Sequence, residues 1–147
     1  MSQNLSITQS GAVARITLTQ PDIRNAFSDE VIAEITAAFT DVGGRADVRA
    51  VVLAAEGPAF CAGANLHWMR RMADYTRDEN LADAGQLAAM LRVIYECPKP
   101  TIARVQGDAY AGCTGLVAAC DIAVSADTAG YCLSEVKLGL IPATISP

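Results

Sequence analysis

Three features of this 147-residue sequence predict an α/β fold. The segment A-V-V-L-A-A at Ala50 to Ala55 is apolar on both faces, as a strand in the middle of a parallel sheet must be. Segments with helical spacing stand on either side of it, one starting near Asp29 and one near Arg77. A second buried strand, T-I-A-R-V-Q at Thr101 to Gln106, breaks at glycines and restarts as an apolar helix. Helices alternating with buried strands cover both faces of a sheet, and no repeat, linker or low-complexity segment divides the chain. One domain over residues 1–147 is the expectation.

Taken in order, Leu5 to Gln9 and Val13 to Thr19 read as strands joined by a hairpin turn at Ser10-Gly11. In the second, Ala14, Ile16 and Leu18 alternate with Val13, Arg15, Thr17 and Thr19, so one face is buried, and Pro21-Asp22 ends it. Ser28 is placed as a helix N-cap before Asp29 and Glu30; Val31, Ile32, Ile35, Phe39 and Val42 then recur at helical spacing up to Gly43-Gly44. After Ala55 and a Gly57-Pro58 loop, F-C-A-G-A-N-L at Phe60 to Leu66 makes a glycine turn, and His67 to Met72 begins a short helix. Thr76 and Glu79 have capping-box spacing for the longest helix. Leu81, Ala84, Leu87, Ala88, Leu91 and Ile94 mark its expected buried face, and Pro98-Lys99-Pro100 stops it. The strand Thr101 to Gln106, a glycine turn, a helix to about Cys120, and short strands at Ile122 to Ser125 and Tyr131 to Leu133 lead to Ser134-Glu135-Val136-Lys137.

A composition of 52% hydrophobic and 18% charged residues is that of a globular domain. The net charge of -5 and the scattered placement of 11 Lys and Arg argue against a nucleic-acid partner, which needs clustered cations. M-S-Q-N-L-S-I-T lacks the pattern of a secretory leader, and no apolar run approaches the ~18 residues of a membrane span. A cytoplasmic location without membrane contact is expected. Cys61, Cys97, Cys113, Cys120 and Cys132 are odd in number and lie mostly in apolar runs, which predicts reduced buried thiols and not a disulfide framework. None forms C-x-x-C, so no metal site is expected. The apolar ending L-G-L-I-P-A-T-I-S-P reads as that of a truncated chain.

Two glycine turns, Ala62-Gly63-Ala64 and Ala111-Gly112-Cys113, each follow a buried strand and can present unpaired backbone N–H groups. Together they can form a two-donor hole for a carbonyl oxygen that gains negative charge; singly, each glycine need do no more than permit a tight turn. Glu135, between a short strand and an apolar segment, is a candidate for holding and deprotonating water or returning a proton to carbon; a solvated acid paired with Lys137 is the plainer alternative. A-G-C-T-G at Ala111 to Gly115 also has the context of a nucleophile elbow with Cys113 as nucleophile and His67, the only histidine, as base. Arg24, after a strand end, is a cation that can meet a phosphate or simply face solvent.

Five stretches, P-D-I-R-N-A-F, A-V-V-L-A-A leading into F-C-A-G-A-N-L, P-K-P-T-I-A-R-V-Q-G-D-A-Y-A-G, A-A-C-D-I-A-V and S-E-V-K-L-G-L-I-P, together resemble the crotonase family, the enoyl-CoA hydratase/isomerase superfamily. They match in order and nearly span the chain. The resemblance implies a crotonase-type spiral of β-β-α turns with the C-terminal helices missing from this chain, a coenzyme A thioester as substrate with no further cofactor, and a homotrimer or a pair of trimers. It assigns the backbone N–H groups of Ala64 and Gly112 to an oxyanion hole and Glu135 to acid/base chemistry. Arg24 and Ala26, with Ala62, Gly63, Asn65 and Leu66, are assigned to coenzyme A binding. Gly115 stands where relatives carry a second acid, so Glu135 would act alone. Asn65 and Cys113 stand where aspartate and glycine are usual. The single-acid pattern and the stretches N-L-H-W-M and L-G-L-I-P-A-T-I-S-P imply a hydratase of branched, carboxylated enoyl thioesters, such as methylglutaconyl-CoA of leucine breakdown or isohexenylglutaconyl-CoA and carboxygeranoyl-CoA of isoprenoid breakdown. An isomerase, a Cys113-dependent hydrolase and an inactive fragment are the alternatives.

Overall fold

In the computed structural model, residues 4–143 and 145 are described. β1 (Leu5–Ser10) and β2 (Val13–Leu18) form an antiparallel hairpin turned at Gly11, whose φ of 57° lies in the left-handed region. A 3-10 turn at Pro21–Ile23 leads to α1 (Asp29–Gly44), and β3 (Ala50–Ala55) follows. Next come α2 (Leu66–Met72), α3 (Arg77–Tyr95), β4 (Thr101–Val105), β5 (Ala109–Tyr110), α4 (Gly112–Ala118), β6 (Ile122–Ser125) and β7 (Tyr131–Cys132). A second 3-10 turn covers Ser134–Leu138.

The main sheet has the order β1-β2-β3-β4-β6, parallel throughout except for the hairpin. The doubly apolar segment is indeed an inner strand: Leu53 of β3 is paired with Ile16 on one side and Ala103 on the other, and all three are fully buried. Ile32, Ile35, Phe39 and Val42 of α1 and Met90 and Ile94 of α3 join them in one core. Burying side chains of this size is worth about 1.5–3 kcal/mol each. Asp121 pins the start of β4, its carboxylate accepting from the Thr101 N–H at 2.8 Å and hydroxyl at 2.9 Å.

The Thr76–Glu79 capping box forms as expected. Ser28 occupies the N-cap of α1 as expected, its side chain making no capping bond. Two expectations need correction. The buried face of α3 is Asp83, Leu87, Met90 and Ile94, whereas Leu81 is 64% exposed. Alanines on several sides of this helix leave its apolar stripe ill-defined, and packing against α1 selects the face. The second glycine turn also hides a strand, β5, which pairs in parallel with β7 as a small separate sheet. No helix among the described residues is long and apolar enough to cross a membrane.

Candidate active site

The first glycine turn is set by the chain on both sides of it. The N–H groups of Phe60 and Cys61 donate to the Asp108 carbonyl at 3.0 and 3.1 Å, and the Tyr110 N–H donates to the Cys61 carbonyl at 3.0 Å, which lays this segment along β5. Gly63 then turns with φ 98°. Phe27 clasps the turn from below: its N–H donates to the Gly63 carbonyl at 3.0 Å, and its carbonyl accepts from the Asn65 N–H at 2.9 Å. Ala64 is thus bridged to Phe27.

The second turn leans on the first. Ala111, with φ 51° and ψ -130°, donates its N–H to the Cys132 carbonyl at 2.8 Å and starts α4 at Gly112. A β-carbon added at Gly63 would sit 3.2 Å from the Ala111 β-carbon, so the two turns are in contact. A β-carbon at Gly112 would meet Cζ of Phe27 at 2.7 Å. The aromatic ring therefore packs directly against the glycine, and only a bare Cα leaves room for it. Among the described residues, no acceptor takes the N–H of Ala64 or of Gly112.

Both residues line a cavity of ≈ 340 Å³, with Phe27, Leu66, Trp68, Met69, Met72, Leu87, Leu138 and Leu140 supplying apolar wall. Glu135 lines it too, carried on the 3-10 turn after β7 and held there by the Leu140 N–H on its carbonyl at 3.1 Å. Its Oε2 is enclosed with no hydrogen-bond partner, and no ion pair joins it to Lys137 among the described residues. The plainer reading of a solvated, paired acid does not describe this carboxylate. Gly115 is buried, and a β-carbon there would meet Cγ2 of Ile145 at 2.5 Å. The space a side chain at position 115 would need is occupied.

The remaining sequence candidates divide. Ala62 and Leu66 line the cavity. Gly63 stands behind it, its N–H directed at Sγ of Cys113 at 3.1 Å. The Asn65 side chain caps α2, accepting from the His67 and Trp68 N–H groups at 2.8 and 3.3 Å, so its oxygen serves the helix. Arg24 is exposed in a left-handed conformation and Ala26 is half-buried; neither lines the cavity.

The expectation of reduced cysteines is overturned for one pair: Cys61 and Cys113 form a disulfide, with Cα atoms 5.6 Å apart. They lie 52 residues apart in sequence and meet because the Cys61–Ala109 bridge aligns the two turns. Cys97, Cys120 and Cys132 are free, and burial pushes the Cys120 thiol up to about 12. The hydrolase reading loses its nucleophile, since Cys113 is fully buried with its sulfur bonded, and its base, since His67 is exposed and outside the cavity lining.

Residues that sequence reasoning passed over complete the site. Asn25, 3% exposed with φ 53°, donates Nδ2 to the carbonyls of Glu56 and Ala59 at 2.8 and 3.1 Å and accepts from the Gln20 N–H at 2.9 Å. It fastens the loop that delivers Phe27. Trp68 packs on Phe27 with ring centroids 6.1 Å apart, and Asp83 of α3 reaches the cavity wall beside it. The left-handed preference of asparagine in R-N-A-F was the one local signal available for any of them.

Comparison with known proteins agrees with this geometry. The enoyl-CoA hydratase/isomerase family model matches residues 8–146. The chain is 35% identical over 144 residues to the enoyl-CoA hydratase AKT6-1 of Alternaria alternata, covering 95% of this chain and 45% of that protein. It superposes on an enoyl-CoA hydratase structure from Shewanella pealeana with TM-score 0.97 and 43% identity, over 99% of this chain and 55% of that one. An enoyl-CoA hydratase structure from Mycobacterium smegmatis gives TM-score 0.91 and 36% identity, over 97% and 55% of the two chains. The chain spans about half the length of the curated relatives it matches, 54% and 45% for the first two. With a family match over almost every residue and the same fold in solved relatives, the chain belongs to the enoyl-CoA hydratase/isomerase family, the crotonase superfamily.

Proposed function

We propose that the protein carrying this chain is an enoyl-CoA hydratase, which adds water across the double bond of a conjugated acyl-CoA with Glu135 as its single acid/base. One observation carries the reading: two backbone N–H groups, of Ala64 and Gly112, and a carboxylate oxygen of Glu135, all without a partner among the described residues, belong to residues lining the same apolar cavity. The thioester carbonyl would accept from both N–H groups. As water adds at the β-carbon, negative charge moves onto that oxygen as an enolate, and each donor in a dry site is worth about 3 kcal/mol of barrier. Glu135 takes the proton from the attacking water and delivers a proton to the α-carbon, restoring its carboxylate. Ile145 against Gly115 leaves no room for an acidic side chain at position 115.

The branched, carboxylated acyl group of the methylglutaconyl type is the finer form of this proposal. It rests on the resemblance of the N-L-H-W-M and L-G-L-I-P-A-T-I-S-P stretches. Among the described residues the cavity lining offers a distal carboxylate no Lys, Arg or His. The trimer and cytoplasmic location implied by the same resemblance are likewise proposals. The exposure of Ile122 at 52%, Val124 at 59% and Val136 at 76% gives the trimer apolar surface to cover.

The test uses the complete coding sequence and follows loss of enoyl-thioester absorbance over straight, branched and carboxylated acyl-CoA substrates, with water incorporation read by mass. Glu135→Gln should lower kcat at least about 100-fold. Full activity in that variant refutes the mechanism, and double-bond migration without added water would assign the protein to the isomerase side of the family. Residues 1–147 assayed alone separate an inactive piece from a self-sufficient site.

A further inference from the structure

The mechanism leaves one buried carboxylate unused. Asp83 on α3 is 9% exposed, faces the same cavity, and has an oxygen, Oδ2, enclosed without a hydrogen bond. An acid withdrawn from water in this way is costly unless something answers its charge. The indole of Trp68 lines the same cavity, 4% exposed, and its Nε1 is likewise enclosed and without a hydrogen-bond partner among the described residues. Burial and Asp29 raise the proton affinity of Asp83, while the Trp68 N–H and Arg71 lower it. The indole thus favours the ionised carboxylate, while neither Nε1 nor Oδ2 has a hydrogen-bond partner among the described residues.

From Trp68 a short packed path leads to both hole donors. Trp68 sits in the first turn of α2, immediately after Ala64 and its cap Asn65. Its ring packs on Phe27 at 6.1 Å with a 55° tilt. Phe27 holds the Ala64 turn through two backbone hydrogen bonds and presses its ring on Gly112. A displaced indole would let Phe27 move, and Gly112 packs on its ring while the Ala64 turn is bonded to its backbone.

We propose that Asp83 is a positioning residue for the oxyanion hole: its carboxylate holds the Trp68 indole, which holds Phe27 against Ala64 and Gly112. The inference rests on the hole assigned above. It does not depend on which acyl-CoA reaction follows, because polarisation of the bound thioester can be read directly. A chromophoric conjugated acyl-CoA, 4-dimethylaminocinnamoyl-CoA, shifts its absorption to the red when its carbonyl oxygen is hydrogen-bonded in the hole.

The experiment measures that red shift, kcat and KM in the full-length protein and in Asp83→Ala, Asp83→Asn, Trp68→Phe and the double variant Asp83→Ala/Trp68→Phe. A hole displaced by a fraction of an ångström should cost about tenfold or more in kcat while KM stays within about threefold. Asp83→Ala and Trp68→Phe should both show this loss together with a smaller red shift. Asp83→Asn, which keeps an acceptor oxygen for the indole, should stay within about threefold of the parent protein. The double variant should be no worse than either single one, as expected of residues acting through one contact. The proposal is overturned if Asp83→Ala leaves kcat and the red shift unchanged, if its effect is confined to KM, if Asp83→Asn is as damaging as Asp83→Ala, or if the two changes add. Should Asp83→Ala fail to fold by circular dichroism, Asp83→Asn and Trp68→Phe decide the matter by the same criteria. A parent protein that shows the red shift without adding water would sink the hydratase reading alone and leave this test standing.

Discussion

Adding one methyl group at Gly112 tests how tightly the proposed oxyanion hole is built. The β-carbon of Gly112→Ala would lie 2.7 Å from Cζ of Phe27 and 3.4 Å from its Cε1. Carbon atoms rest at about 3.5–4.0 Å, so the ring must retreat by about 1 Å. It has little room to do so, being 2% exposed with Trp68 packed beside it and its backbone bonded to Gly63 and Asn65. Forced overpacking of this kind costs about 1–3 kcal/mol, which in a domain of this size lowers Tm by about 5 °C. The larger effect should be on catalysis, because the ring that must move packs on Gly112 and belongs to the residue whose backbone holds the Ala64 turn; kcat should fall about 100-fold or more. Gly85→Ala is the matched control, with nothing within 4 Å of its added carbon in the middle of α3. There the same methyl should raise stability by about 1 kcal/mol and leave kcat alone. Thermal and urea unfolding of both variants, with turnover of a short enoyl-CoA, gives the comparison. Gly112→Ala as stable as the parent protein, with kcat within about threefold, would refute the idea of a hole braced by Phe27.

Two further outcomes follow from local geometry. Ala111 holds φ 51° and ψ -130°, a conformation that strains a residue with a β-carbon by about 1–3 kcal/mol. Ala111→Gly should therefore stabilise the protein by about 1 kcal/mol in urea titration, part of the relief being offset by the freedom glycine gains in the unfolded chain; a loss of stability would show the turn to be unstrained. Asp121 accepts from the Thr101 N–H and hydroxyl, which holds its carboxyl below the ordinary value. Its contribution is present above the unfolded carboxyl value of about 3.9 and is lost as pH falls through the lower folded value. Asp121→Ala should be less stable than the parent protein at neutral pH and should show a shallower loss on acidification; parallel acid limbs would contradict this assignment.

Much of the scaffold was legible along the chain because its signals are local. The alternation of Ala14, Ile16 and Leu18 announces a half-buried strand, A-V-V-L-A-A an inner one, and Thr76 with Glu79 a helix start, each within a few residues. The glycine turns and Glu135 could be nominated for the same reason. Nothing local shows that Cys61 meets Cys113, that Ala109-Tyr110 pairs with Tyr131-Cys132, or that α3 turns Asp83 inward and Leu81 outward. Those are choices among faces and partners that the local pattern leaves nearly equal in energy, and packing against distant elements breaks the tie.

The sequence by itself determined that this chain is an α/β domain, and the order of its matching stretches pointed to the crotonase family. It also placed an acid at 135 and none at 115. Tertiary structure alone decided that Phe27, Ala64, Gly112 and Glu135 line a single cavity, that Asn25 fastens the loop carrying Phe27 and Trp68 packs on its ring, and that Ile145 fills the space beside Gly115. The reason is physical: strand and helix patterns are repeats of two and about 3.6 residues that any short window reveals, while an oxyanion hole depends on sub-ångström contacts between turns almost fifty residues apart.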